Sequence, residues 1–173
     1  MKKKILLINS DYLEDVYGES KQRGVLSRGI PILGLACIAA PLVKAGHNIT
    51  ILDLNLYDNP KKILAYRLKE LKPDVIGLTA TTAVVHKIVD IAKAARDLLP
   101  AVTIVAGGPH PTAVPEDLLR NSHIDIVVSG EGDKILKSIV ESENIKDIPN
   151  IYYKDNGEIA HSNILNDGIE DLD

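Results

Sequence analysis

The stretch Val102-Thr-Ile-Val-Ala-Gly-Gly-Pro-His-Pro-Thr112 decides the fold. Val102–Ala106 is a short, mostly apolar run rich in Ile and Val, the pattern of a strand buried on both faces of a parallel sheet. It stops at two adjacent glycines, which leave the strand end open to close approach by another group. Ile5–Ile8, Ile49–Leu54, Val75–Leu78 and Ile124–Val128 are runs of the same kind. Helical patterns lie between them. Asn59-Pro60 supplies an N-cap and a first-turn proline ahead of Leu64, Leu68 and Leu71. Val84, Ile88, Ile91, Ala95 and Leu98 form an amphipathic stripe, and Ile135, Leu136, Ile139 and Val140 a shorter one. Pro31–Gly46 is apolar on most faces, and Pro41 inside it removes one helical hydrogen bond and should kink the helix.

This alternation predicts a doubly wound α/β fold: a flavodoxin/Rossmann-like five-stranded parallel sheet with helices on both faces. The style changes after Pro149. Ile151–Lys154, a turn at Asp155-Asn156-Gly157 and Glu158–His161 read as a C-terminal β-hairpin. From Asp155 to Asp173 there are six acidic residues and no Lys or Arg, which reads as a hairpin running into a solvated tail, not as more core. The expected organisation is therefore an α/β domain over 1–148, with hairpin and linker over 149–173.

The chain of 173 residues suits one domain. Its 45% hydrophobic and 25% charged composition is globular, and no apolar run reaches the roughly 20 residues that cross a bilayer. Membrane insertion is not expected. A net charge of −4 argues against a nucleic-acid partner. Four apolar residues after Lys2–Lys4 are too few for a secretion signal, and a single cysteine suits a reducing compartment, so a cytoplasmic location is expected. Cys37 alone allows no internal disulfide, iron–sulfur cluster or cysteine-rich zinc site.

Ligands of open parallel sheets bind beyond the carboxyl ends of the strands. That rule selects the loops 9–31, 79–82, 107–115 and 130–133 and the segment near Asn55–Asn59. Gly107-Gly108 either admits a ligand or makes a tight strand-to-helix turn. Thr79, Thr81 and Thr82 can bond a ligand, and Thr81 or Thr82 can equally cap the next helix. Glu131, in Gly130-Glu131-Gly132, can bond an amide or simply favour a helix N-terminus. Of five histidines only His86 and His110 fall on the ligand edge. The Gly-x-Gly-x-x-Gly and Gly-x-x-x-x-Gly-Lys-Ser/Thr phosphate motifs are absent. So are the phospho-receiver's Asp after strand three and its Lys after strand five. With no Trp or Phe there are no aromatic walls of the kind a flavodoxin uses.

Ile104-Val-Ala-Gly-Gly-Pro-His-Pro-Thr-Ala-Val-Pro-Glu-Asp-Leu-Leu119 and Asp125-Ile-Val-Val-Ser-Gly-Glu-Gly132 together resemble the N-terminal cobalamin-binding domain of cobalamin-dependent radical SAM enzymes. Leu33-Gly-Leu-Ala36, Lys44-Ala-Gly-His47, Asp74-Val-Ile-Gly-Leu-Thr-Ala-Thr-Thr82 and Ile148-Pro-Asn-Ile-Tyr152 agree in order and spacing, and Ile169-Glu-Asp-Leu-Asp173 resembles the linker to the catalytic barrel. Of the three motifs common to cobalamin domains, Thr79-Ala80-Thr81 stands at the second and Gly107-Gly108 at the third. The first is missing, because Asp11-Tyr12-Leu13-Glu14-Asp15-Val16 carries Leu where the axial His belongs and Val where the Gly belongs.

The resemblance implies a base-off cobalamin with no histidine beneath the cobalt. It implies a nucleotide tail threaded past Thr79, Ala80, Thr81, Thr82, Ala106, Gly107 and Gly108. The corrin would lie near Ser10, Pro109, His110, Gly130, Glu131 and Gly132, with no metal ligand from these residues. S-adenosylmethionine and a [4Fe-4S] cluster are implied only for a radical SAM domain, in cis or in trans. This chain lacks the Cys-x-x-x-Cys-x-x-Cys that such chemistry needs, so it is not an enzyme by itself. Two other readings compete: a stand-alone interaction module using the charged loop 9–31, and a nucleotide-sugar-binding half of a transferase.

Overall fold

The strand runs pair in register because each carries apolar side chains on both faces. In the computed structural model, which describes residues 1–10 and 32–164, the strands are β1 (Lys4–Asn9), β2 (Asn48–Asp53), β3 (Val75–Thr79), β4 (Thr103–Gly107) and β5 (Ile126–Val128). They are parallel in the order β2-β1-β3-β4-β5, the flavodoxin-like winding. The segment 11–31, with the Asp11–Val16 stretch and the charged loop, and the acidic tail 165–173 lie outside the described residues.

The hairpin differs from the expectation of a piece outside the core. β6 (Ile151–Asp155) pairs antiparallel with β5, and β7 (Glu158–His161) with β6, so one sheet of seven strands results. Ile151 and Tyr153 are buried within the core. The tally of charges misled here, because it began at Asp155 and so left out Ile151 and Tyr153, the alternate β6 residues that are buried. Asn156 and Gly157 both take positive φ, 51° and 91°, the two-residue turn that matches the strand twist.

Helices cover both faces. α1 (Leu33–Lys44) and α6 (Asp133–Glu141) pack on the face made by Ile5, Leu7, Val75, Val105, Ile126 and Val128. α2 (Pro60–Leu71), α3 (Val85–Leu98) and α5 (Pro115–Arg120) cover the face made by Leu6, Ile8, Ile76, Leu78, Ile104, Ala106 and Val127. A short α4 (Pro109–Ala113) follows β4 directly. α1 continues as one helix across Pro41. The Asn59 side chain accepts the Lys62 N–H at 3.1 Å, the cap its sequence announced.

The edge of the sheet away from the ligand loops is pinned by charge. Arg96 donates to both carboxylate oxygens of Asp125 (2.7 and 2.6 Å) and to the carbonyls of Pro100 and Val102 (2.7 and 2.9 Å). Asp125 in turn accepts the Ile104 N–H at 2.7 Å, so the Arg96–Asp125 pair ties α3 to β4 and to the residue that leads into β5.

Candidate functional site

At the carboxyl ends of β1, β3, β4 and β5 the face under α1 and α6 opens into a cleft of about 730 Å³. That volume is typical of a small-molecule site. Its floor is Leu7, Gly77 and Val105, neighbours in register across three strands, with Thr79, Gly107 and Val128 nearer the mouth. One wall is the start of α1 (Ile32, Leu35, Cys37, Ile38) and the other is Leu136 on α6. Glu131 and Asp133 stand at the rim, and no Lys, Arg or His is among the described residues that line it.

Small residues make this space. A Cβ on Gly107 would touch only Val128 Cβ, at 3.8 Å, so the rest of its surroundings is cleft. Gly77 lets the Leu7 side chain cross it, since a Cβ there would lie 2.7 Å from Leu7 Cδ2. Gly108 has a different task. Its φ is +99°, and a Cβ would meet Thr79 Oγ1 at 2.7 Å and the Ala80 carbonyl oxygen at 3.2 Å. Ala80 N–H donates to the Gly107 carbonyl (3.3 Å) and His110 N–H to the Ala80 carbonyl (3.2 Å), locking the two strand ends together. Gly107 thus leaves open space at the strand end, and Gly108 makes the tight strand-to-helix turn.

The structure sorts the residues singled out from sequence. Thr79, Gly107, Gly108, Pro109, Gly130, Glu131 and Gly132 line the cleft. Ala80 and Ala106 are buried in the opposite core, because successive strand residues alternate faces. Thr81 and Thr82 are exposed outside the lining, and Thr82 Oγ1 lies 3.2 Å from His110 Nδ1. Ser10 is buried, its carbonyl accepting the Asn55 side-chain amide at 2.9 Å. Asp53 Oδ1 accepts from that amide and from Asn9 (2.9 and 3.0 Å), so the ends of β1 and β2 are fixed just where segment 11–31 departs.

Sequence reasoning passed over Gly77, Thr112 and the α1 wall. The signal for the wall was present: α1 carries one charged residue, Lys44, in twelve. The groups whose pKa moves lie elsewhere. Partial burial lowers the Lys154 ammonium, and a hydrogen bond to Glu70 raises the Arg67 guanidinium.

A family model described as the B12 binding domain matches residues 26–140. The chain belongs to the B12-binding domain family. The resemblance read from its loops is thereby borne out. This B12-binding domain is 35% identical over 148 residues to an uncharacterised methyltransferase of Pyrococcus horikoshii, covering 83% of this chain and 32% of that protein. It is 33% identical over 129 residues to the hopanoid C-3 methylase of Methylococcus capsulatus, covering 69% and 24%. The chain thus spans about a third or less of these relatives' length.

Among solved structures it is similar to the radical S-adenosylmethionine methyltransferase TsrM of Kitasatospora setae (TM-score 0.73, 21% identity, 94% of this chain and 30% of that one). The cobalamin-dependent S-adenosylmethionine radical enzyme OxsB, solved with aqua-cobalamin bound, gives a TM-score of 0.71 at 18% identity, covering 95% and 22%. At those identities the likeness speaks for the fold, and it agrees with the α/β architecture expected from sequence. No helix among the described residues is long and apolar enough to cross a membrane.

Proposed function

We propose that the cleft under α1 and α6 holds cobalamin base-off, with no histidine beneath the cobalt, and that the domain presents the corrin to a radical SAM domain for methyl transfer or related radical chemistry. The observation that carries this reading is the cleft itself: an apolar slot floored by Leu7, Gly77 and Val105 and kept open by Gly107 at the strand ends of a B12-binding domain. The residues suit the group. The dimethylbenzimidazole of the nucleotide tail is flat and apolar and would meet Leu7, Val105, Ile38 and Leu136, with the Thr79 hydroxyl as a polar partner for the ribose and phosphate. Pro109, Gly130, Glu131 and Gly132 would border the corrin, Glu131 accepting from its amide side chains. Ser10, Thr81, Thr82 and His110 would serve its edge, and Ala80 and Ala106 would back the site from the far face. When bound, the cofactor supplies a cobalt centre able to carry a methyl group.

The course of the chain supports a catalytic partner at this edge. Ser129 N–H donates to the Asn150 carbonyl (2.9 Å) and Asn150 N–H to the Asn163 carbonyl (3.0 Å). By residue 164 the hairpin has thus returned the chain to the end of the sheet that bears the cleft. A partner in cis would follow the linker that leaves from there, and a partner in trans would approach the same mouth. The domain's own role is to bind and orient.

The test is direct. The protein mixed with hydroxocobalamin should emerge red from gel filtration, and colourless protein at high cofactor concentration would sink the reading. Gly107→Val is the better probe of the site than any change at Gly108, because it fills the cleft without opposing the backbone. Its cobalamin binding should weaken by about a hundredfold or more, while its circular dichroism stays that of the parent.

A further inference from the structure

The two loops that flank the mouth of the cleft are joined by one side chain. Thr112, in α4, lines the cleft, and its Oγ1 accepts the N–H of Gly130 at 3.1 Å. Gly130 sits at φ +85°, and nothing lies within 4 Å of where a Cβ would be. Its neighbour Ser129 is tied from the other side, to the Asn150 carbonyl. Remove the Thr112 bond, and the Gly130–Gly132 turn keeps its hairpin anchor but loses its link to the β4 loop. Thr112 itself is fixed, its N–H donating to the Gly108 carbonyl at 3.0 Å.

We propose that Thr112 is a positioning residue of the cobalamin site, holding the Gly130–Gly132 turn at the cleft mouth through its hydroxyl. The proposal rests on the cobalamin reading above. It says that one hydroxyl sets the distance between the turn after β4 and the turn after β5, and so the width of the mouth. The methyl group of Thr112 is dispensable for this and the oxygen is not.

Thr112→Val keeps the shape and removes the acceptor, whereas Thr112→Ser keeps the acceptor. Each is compared with the parent in a spectroscopic titration with hydroxocobalamin and in the amide spectrum of ¹⁵N-labelled protein. Thr112→Val should weaken cobalamin binding about tenfold, the scale of one hydrogen bond. It should also move the Gly130 amide proton upfield, as expected for a lost acceptor. Thr112→Ser should restore both. Parent and Thr112→Val binding cobalamin equally well would overturn the proposal and leave the cobalamin reading standing. An unmoved Gly130 amide in Thr112→Val would overturn it whether or not cobalamin binds. If the parent itself takes up no cobalamin, the cobalamin reading fails, and the proposed role fails with it.

Discussion

The two faces of the sheet use the same strands for opposite ends. Under α2 and α3, the β-strands offer Leu6, Ile8, Ile76, Leu78, Ile104 and Val127, and the space is filled. Under α1 and α6, one residue along each strand, the row near the strand ends reads Leu7, Gly77 and Val105, then Thr79 and Gly107, and the space is open. Both faces have strong apolar character, so hydrophobicity does not separate core from site. Side-chain volume does. A binding cleft arises here where glycine and threonine replace leucine and isoleucine at the carboxyl ends, with the remaining core holding the frame.

The largest effect should come from breaking the filled face. Ile104→Ala, at a fully buried position, should cost about 2–5 kcal/mol. Chemical denaturation would read that loss, while the molecules still folded should bind cobalamin as the parent does. A comparable loss of affinity would mean that the two faces are not separable. Next comes the reciprocal change: Gly107→Val should weaken cobalamin binding by about a hundredfold or more, roughly 2.7 kcal/mol, with the denaturation midpoint little altered. Retained binding would place the ligand elsewhere than over Gly107.

Asn59→Ala removes the cap of α2 on the filled face and should cost about 1 kcal/mol. A thermal melt would register it, and a titration should not. The gentlest probe leaves the sequence intact. Cys37 is the chain's single cysteine, exposed and on the cleft wall. Its alkylation rate should fall when cobalamin is bound, and an unchanged rate at saturation would show that the ligand does not cover the α1 wall.

How much of this was legible in the residues differs from place to place. The strand runs, the Asn59-Pro60 helix start and the Asn156-Gly157 turn are local signals, since capping and positive φ act within a few residues. Gly107 was legible as a residue of the strand-end cleft because it ends a strand. Gly77 was not, because a glycine inside an apolar run looks the same whether it closes a core or floors a cleft. Ala80 and Ala106 sit beside cleft residues in the chain and face away from them in space, since consecutive strand side chains point in opposite directions. Thr112 acquires its meaning only from Gly130, eighteen residues on and one strand over.

The amino-acid order by itself determined the α/β class and the boundaries of most elements, because periodicity, caps and turn residues are local and survive without knowledge of neighbours, and its loop motifs carried the resemblance to the family. The tertiary structure alone decided which face of the sheet stays open, that the hairpin completes the sheet instead of trailing from it, and which of two adjacent glycines makes room and which makes the turn. Those depend on what lies across a strand or under a helix. That is a matter of volume and contact between residues far apart in the chain.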